Sequence, residues 1–248
     1  MHPVKAARVR LPADSTIGGA FALLADNCAE QMQANEAGLC AGRNPEYLHQ
    51  FRVALRRLRS LYRIYRPLLA DADHAALATE LSWLSALLGA TRDWDVFLRE
   101  TLAPLRREKP DAIGLDSLRR RCLAQRRRHA AAMRRALASD RYAALRDAVL
   151  RGAAVSASIG VASARWTCAQ PAKAFAATRI AKLEKKVQQL AGGPHATDST
   201  HRHRLRIAVK RLRYAIDFFR ALFDAAGVRA YGSVLAAVQD SLGTLNDC

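Results

Sequence analysis

The chain has 248 residues, half of them hydrophobic, and carries 40 Lys and Arg against 22 Asp and Glu, a formal net charge of +18. That length allows one or two domains with a real core, and the apolar half excludes a disordered chain. The charge argues against an acidic, self-contained small-molecule enzyme and for a polyanionic partner: nucleic acid, an anionic membrane surface or a phosphate polymer.

No apolar run approaches the ~18 residues needed to span a bilayer. The opening MHPVKAARVRLP has no apolar stretch of the kind a secretory signal needs. Cys28, Cys40, Cys122, Cys168 and Cys248 are odd in number, and no pair has C-x-x-C spacing. They read as reduced, mostly buried thiols of a cytoplasmic protein.

Ala, Leu and Arg dominate, all good helix formers, and no run of alternating β-branched residues stands out. Asp14, Ser15 and Thr16 offer caps for a helix over 17–37, which Gly38 and Gly42 interrupt. Pro45 suits the first turn of a helix over 45–69. Further helices are predicted over 73–88, 94–107, 115–138 and 141–154. The Ser-, Ala- and Gly-rich stretch 155–170 reads as a connection. Helices resume over 172–190, 200–224 and 228–242, with Gly192, Gly193 and Pro194 separating the first two.

Two segments are alike. HQFRVALRRLRSLYRIYRPLL (His49–Leu69) aligns without a gap on HRLRIAVKRLRYAIDFFRALF (His203–Phe223), with eight identities in 21 positions. The offset of 154 also carries Gly89 onto Gly243, Asp93 onto Asp247 and Phe21-Ala22 onto Phe175-Ala176. One register over this length indicates an internal duplication. A first helical half over about 15–154 and a second over about 171–248 follow. The second lacks counterparts of Trp94–Ala154, so it is expected to be shortened or divergent, with its uncovered apolar surface exposed or buried in an oligomer.

On a helical wheel, His49, Arg52, Arg56, Arg59, Arg63 and Arg66 fall within an arc of roughly 100°, a row about 25 Å long. Phe51, Leu55, Leu58, Tyr62, Tyr65 and Leu69 form a neighbouring apolar stripe. His203, Arg206, Lys210, Arg213 and Arg220 repeat the row, with Asp217 in place of its fifth cation. A charged face is usually only a solvated face, but such a face interleaves signs, because like charges at i,i+4 repel. The first row holds five arginines and no acid, which points to an external anion.

Of the 40 cations 33 are arginine, whose planar fork binds phosphate oxygens bidentately. His49 and His203 head the two rows and would become cationic beside a phosphate. Arg57 and Arg211 point about 100° away from the row centres and read as structural ion-pair partners, with Asp93 or Asp95 as candidate acids. Arg120, Arg127 and Arg134 recur at heptad spacing, and Arg179, Lys182 and Lys186 make a shorter row. For these two sets a solvated surface is an equal reading.

The motifs H-x-x-R-V-x-x-R-R-L-R (His49–Arg59), L-L-G-x-x-R-D-x-D-V (Leu87–Val96) and H-x-x-R-I-x-x-K-R-L-R-Y-x-x-D (His203–Asp217) resemble the CHAD family, the conserved-histidine α-helical domain. The resemblance runs from about Ile17 to Asp247. It implies an all-α fold of two antiparallel four-helix bundles related by a pseudo-twofold axis, with basic helices lining a groove or pore. It also implies binding of inorganic polyphosphate and association with polyphosphate granules. No β-barrel of the triphosphate-tunnel type, to which some members are fused, is visible. No cofactor or metal is expected.

Three function classes compete. The first is a non-enzymatic polyphosphate-binding module built on the rows above. The second is a nonspecific nucleic-acid binder, which the charge fits equally; against it, the aromatics are few, and Tyr62, Tyr65, Phe218 and Phe219 belong to the predicted core, where they cannot stack on bases. The third is a metal-dependent phosphoryl hydrolase using Asp93-Trp94-Asp95 to hold Mg²⁺. Those carboxylates are more simply a helix cap and ion-pair partners. His195, His201 and His203 cluster loosely without a carboxylate or cysteine at ligand spacing. A membrane-surface role fits poorly, because the apolar faces suit bundle packing.

Overall fold

The computed structural model describes residues 2–42, 44–69, 71–154, 166–192 and 198–244, all helix and connection apart from an isolated bridge between Thr16 and Pro171. The helices are α1 (Ile17–Ala41), α2 (Pro45–Tyr65), α3 (Asp71–Val96), α4 (Ala103–Glu108), α5 (Leu115–Leu137), α6 (Asp140–Ala154), α7 (Ala172–Ala191), α8 (Ser199–Phe219) and α9 (Ala225–Thr244). A π-helical turn, Phe97–Leu102, joins α3 to α4. Short 3-10 turns follow α2 and α8, at Arg66–Leu68 and Arg220–Leu222. The starts of α2 and α8, of the two 3-10 turns, and of α3 and α9 are each 154 residues apart, the offset read from the sequence.

Two of the predicted boundaries are displaced. Gly38 does not interrupt α1. A Cβ there would meet the Tyr47 ring at 2.3 Å, so the glycine lets the buried ring of Tyr47 lie against the helix backbone. The helix ends instead at Gly42, whose φ of +68° is open to glycine at little cost. The expected break between 88 and 94 is also absent. Helix α3 runs through Gly89 to Val96, which places Asp93 and Asp95 in a helix interior and not at a cap.

The chain divides into two compact units that interleave along the sequence. One comprises Met1–Ala7, Asn27–Arg59 and Ala72–Arg151, the other Arg8–Asp26, Ser60–Asp71 and Gly152–Cys248. In the first unit the buried residues include Phe51, Leu55 and Leu58 of α2, Leu81, Leu84 and Leu88 of α3, and Met133 and Tyr142 of α5 and α6. Polar links cross this core. Gln31 donates to Gln50, the amide of Asn35 exchanges two hydrogen bonds with the backbone of Val4, and the Tyr142 hydroxyl donates to Glu36 at 2.8 Å.

In the second unit Tyr65 is fully buried, with Phe21 at 4.8 Å, Phe175 at 5.0 Å and Phe219 at 6.2 Å between ring centroids. The equivalent phenylalanines of the repeat, Phe21 and Phe175, thus flank one tyrosine. Four backbone atoms tie the start of α1 to that of α7: Ile17 donates to the Gln170 carbonyl and Ala172 to that of Ser15, both at 2.8 Å. Val209, Leu212 and Ile216 of α8 pack with Leu235 of α9, and Ile180, Leu183 and Val187 of α7 close over them.

Candidate anion-binding faces

In the first unit the cationic row of α2 lies beside α3. Helical spacing places His49, Arg52, Arg56 and Arg59 on one face; Arg56 is exposed and the other three are half-buried. Helix α3 presents small residues to them. The Arg52 guanidinium donates to the Ser85 carbonyl at 3.3 Å. A Cβ on Gly89 would sit 3.2 Å from its Nη1, so the glycine makes room for the cation. Arg59 donates to the Ser85 hydroxyl at 3.0 Å and to the Ser82 hydroxyl at 3.3 Å. These acceptors are neutral, so the bonds orient the guanidinium groups and bring no carboxylate of their own.

The electrostatics follow from this crowding. Burial holds the His49 pKa below its ordinary value, and Arg92, Arg56 and Arg52 lower it further against the opposing pull of Glu46. Burial also lowers the pKa of Arg52; Asp93 opposes this, and Arg56 and Arg92 add to it. Nη1 of Arg92 is buried with no hydrogen-bond partner among the described residues. A cation crowded by cations, with a buried donor unused, is an arrangement an arriving anion relieves. Arg92, Ser82, Ser85 and Gly89 escaped the sequence reading as site residues. The signal for Arg92 was present in the R-D-x-D motif, three residues after Gly89 and on the same helix face.

In the second unit the exposed cations include Arg63 and Arg66, at the end of α2 and in its 3-10 turn, Lys182 and Lys186 of α7, and His203 of α8. Arg179, Arg206, Lys210, Arg213 and Arg220 are half-buried. Arg179 keeps Nε buried with no hydrogen-bond partner among the described residues, and burial lowers its pKa. Arg213 donates to Gln239 of α9 at 2.8 Å, again a neutral acceptor. The apolar faces of α7 and α8 meet in the core described above, which leaves their cations on the polar sides of the helices.

Other expectations are corrected. Arg57 is structural, and its partners include Asn27 at 2.7 Å and Gln31 at 3.0 Å, both on α1. Asp95 instead takes Arg126 of α5, at 2.5 Å. Two residues apart in a continuous helix, Asp93 and Asp95 project about 200° apart around the axis, so they cannot close on one ion. Asp95 is buried and Asp93 exposed. Among the described residues no group of three or more His, Cys, Asp or Glu could hold a metal. The His201 ring is engaged with the Leu190 carbonyl at 2.6 Å, bridging the end of α7 and the start of α8; His195 lies outside the described residues. Arg120, Arg127 and Arg134 are exposed on α5. Arg134 reaches the end of α1, 3.5 Å from where a Cβ on Gly42 would be, and a cation is favourable at a helix C-terminus. No helix among the described residues is long and apolar enough to cross a membrane.

Known proteins resemble this chain as follows. The family model described as CHAD domain matches residues 23–248. The crystal structure of the CHAD domain from the plant Ricinus communis matches with a TM-score of 0.82 at 34% identity, over 99% of this chain and 80% of that one. PptA from Streptomyces chartreusis shares the fold at a TM-score of 0.63 and 18% identity, over 94% of this chain and 93% of that one. No curated protein matches.

Proposed function

Because the chain belongs to the CHAD domain family, we propose that it binds inorganic polyphosphate, without cleaving it, through the basic faces of α2, α7 and α8. The observation that carries this reading is the first-unit row. Arg52 and Arg59 are aimed by neutral oxygens of Ser82 and Ser85, so their orientation is set by groups that carry no charge. Fixed guanidinium groups lose less side-chain entropy on binding than free ones. A linear polyanion lying along the row would exchange its counterions for arginines, and affinity would fall steeply with salt.

Non-cleavage is supported by the divergence of Asp93 and Asp95, since phosphoryl transfer on a metal needs convergent ligands. Nonspecific nucleic-acid binding is the competing reading, and Phe218 and Phe219, buried as expected, offer it no stacking platform. The test is competition of labelled long-chain polyphosphate against single-stranded RNA and duplex DNA of matched charge across a salt series, with free phosphate assayed in Mg²⁺. Polyphosphate should win by tenfold or more, about 1.4 kcal/mol, with no phosphate released. Equal competition would reduce the rows to a generic polyanion surface, and phosphate release lost on mutating Asp93 would make the protein an enzyme. Association with polyphosphate granules in the cytoplasm would follow from such binding.

A further inference from the structure

The π-helical turn between α3 and α4 opens a cleft that the basic rows do not use. Pro104 stands in the first turn of α4. Its ring lacks an N–H and would strike the Glu100 carbonyl four residues back in a regular helix. The chain widens instead, and Ala103 donates to the carbonyl of Leu98, five residues back. Helix α5 returns alongside, and a cleft of about 350 Å³ lies between. That is within the range of small-molecule sites, ~300–1,000 Å³, and wide turns of this kind recur at functional sites.

Its lining is of two kinds. Leu98, Leu102 and Leu123 are apolar, and Arg99, Arg106 and Arg119 are cationic; no carboxylate lines it. Leu102 is buried and the other two leucines are half-buried. Arg99 pairs with Glu100 at 2.6 Å and Arg106 with Asp116 at 2.8 Å. Both pairs are exposed, so a competing anion displaces them at small cost. Arg119 is exposed and has no hydrogen-bond or ion-pair partner among the described residues.

We propose that this cleft binds a small organic anion with an apolar body, an alkyl phosphate or alkyl carboxylate. Its head group would meet Arg119 and the two displaceable arginines, and its chain would cover the leucines. A hydrated inorganic polyanion is the wrong occupant, because the leucines would strip its water and return no hydrogen bonds. The charge of the rim and the apolar floor together select for both halves of an amphiphile.

The experiment is calorimetric titration of the full chain with monomeric dodecyl phosphate and, separately, dodecanoate, dodecanol and inorganic phosphate. Both amphiphilic anions should bind at one per chain, with dodecanol and inorganic phosphate at least tenfold weaker. Arg119→Glu should weaken dodecyl phosphate at least tenfold, Arg119→Gln less, and Arg56→Glu on the α2 row should leave it unchanged. Added polyphosphate should not displace it. Absence of saturable binding, indifference to both Arg119 variants, or displacement by polyphosphate would overturn the proposal. Failure of polyphosphate itself to bind would leave this site standing and remove only the preceding reading.

Discussion

Gly89→Ala separates what holds the helix from what aims the cation. Replacing glycine by alanine inside a helix stabilises it by roughly 0.5–1 kcal/mol. The new Cβ would sit 3.2 Å from Arg52 Nη1, closer than side chains normally tolerate. The obstructing atom is the far end of a flexible side chain, so a shift of a few tenths of an ångström relieves it and α3 keeps its gain. The Arg52 bond to the Ser85 carbonyl, already 3.3 Å, is then stretched past useful range. Thermal unfolding should rise by about 1–4 °C, since ~1 kcal/mol moves a protein of this size by ~2–4 °C. Polyphosphate affinity should fall about three- to tenfold, or ~0.7–1.4 kcal/mol, as Arg52 loses its orientation. Calorimetric melting and polarisation titration with labelled polyphosphate read the two effects on one preparation. A lowered melting temperature, or an unchanged affinity, would refute the account of Gly89 as the seat of Arg52.

Polyphosphate binding should tighten as pH falls. His49 sits below its ordinary value of 6.5 in the free protein; a phosphate beside it raises that value, so binding takes up a proton, and His49→Gln should flatten the titration curve. Folding without ligand has the opposite sign, because a depressed histidine contributes stability above pH 6.5 that is lost as pH falls through its folded value; urea titrations at several pH values test it. Arg56→Glu should weaken polyphosphate at least about fivefold and shrink the salt slope while leaving melting unchanged, since the side chain is exposed. Asp95→Asn should lower stability by ~1–3 kcal/mol, less than the ~3–5 for a fully buried pair because the Arg126 side chain keeps 27% exposure; chemical denaturation reads this, and polyphosphate affinity should not move.

Much of the helical plan was legible because helix periodicity is local. The cationic and apolar residues of 49–66 could be sorted onto faces from their spacing alone, and Tyr62 and Tyr65 are buried as that sorting required. The boundaries at Gly38 and Gly89 were misplaced because glycine has two uses. It breaks helices for want of a side chain, and it admits a neighbour for the same reason; only the Tyr47 ring and the Arg52 guanidinium distinguish them. Once α3 is continuous, the roles of Asp93 and Asp95 change with it.

The sequence by itself determined an all-helical chain, two like helices 154 residues apart, an unopposed arginine row and membership of a family. Those follow from composition, period and motif, which each residue carries wherever the chain goes. Which arginines are aimed and which are consumed was decided by tertiary structure. Arg52 and Arg59 meet neutral oxygens of α3, Arg57 meets α1, Arg126 takes Asp95, and Arg134 lies at the end of α1. The side chains are chemically the same, and only the packing of one helix against another sets whether a guanidinium finds a carbonyl, a carboxylate or open water.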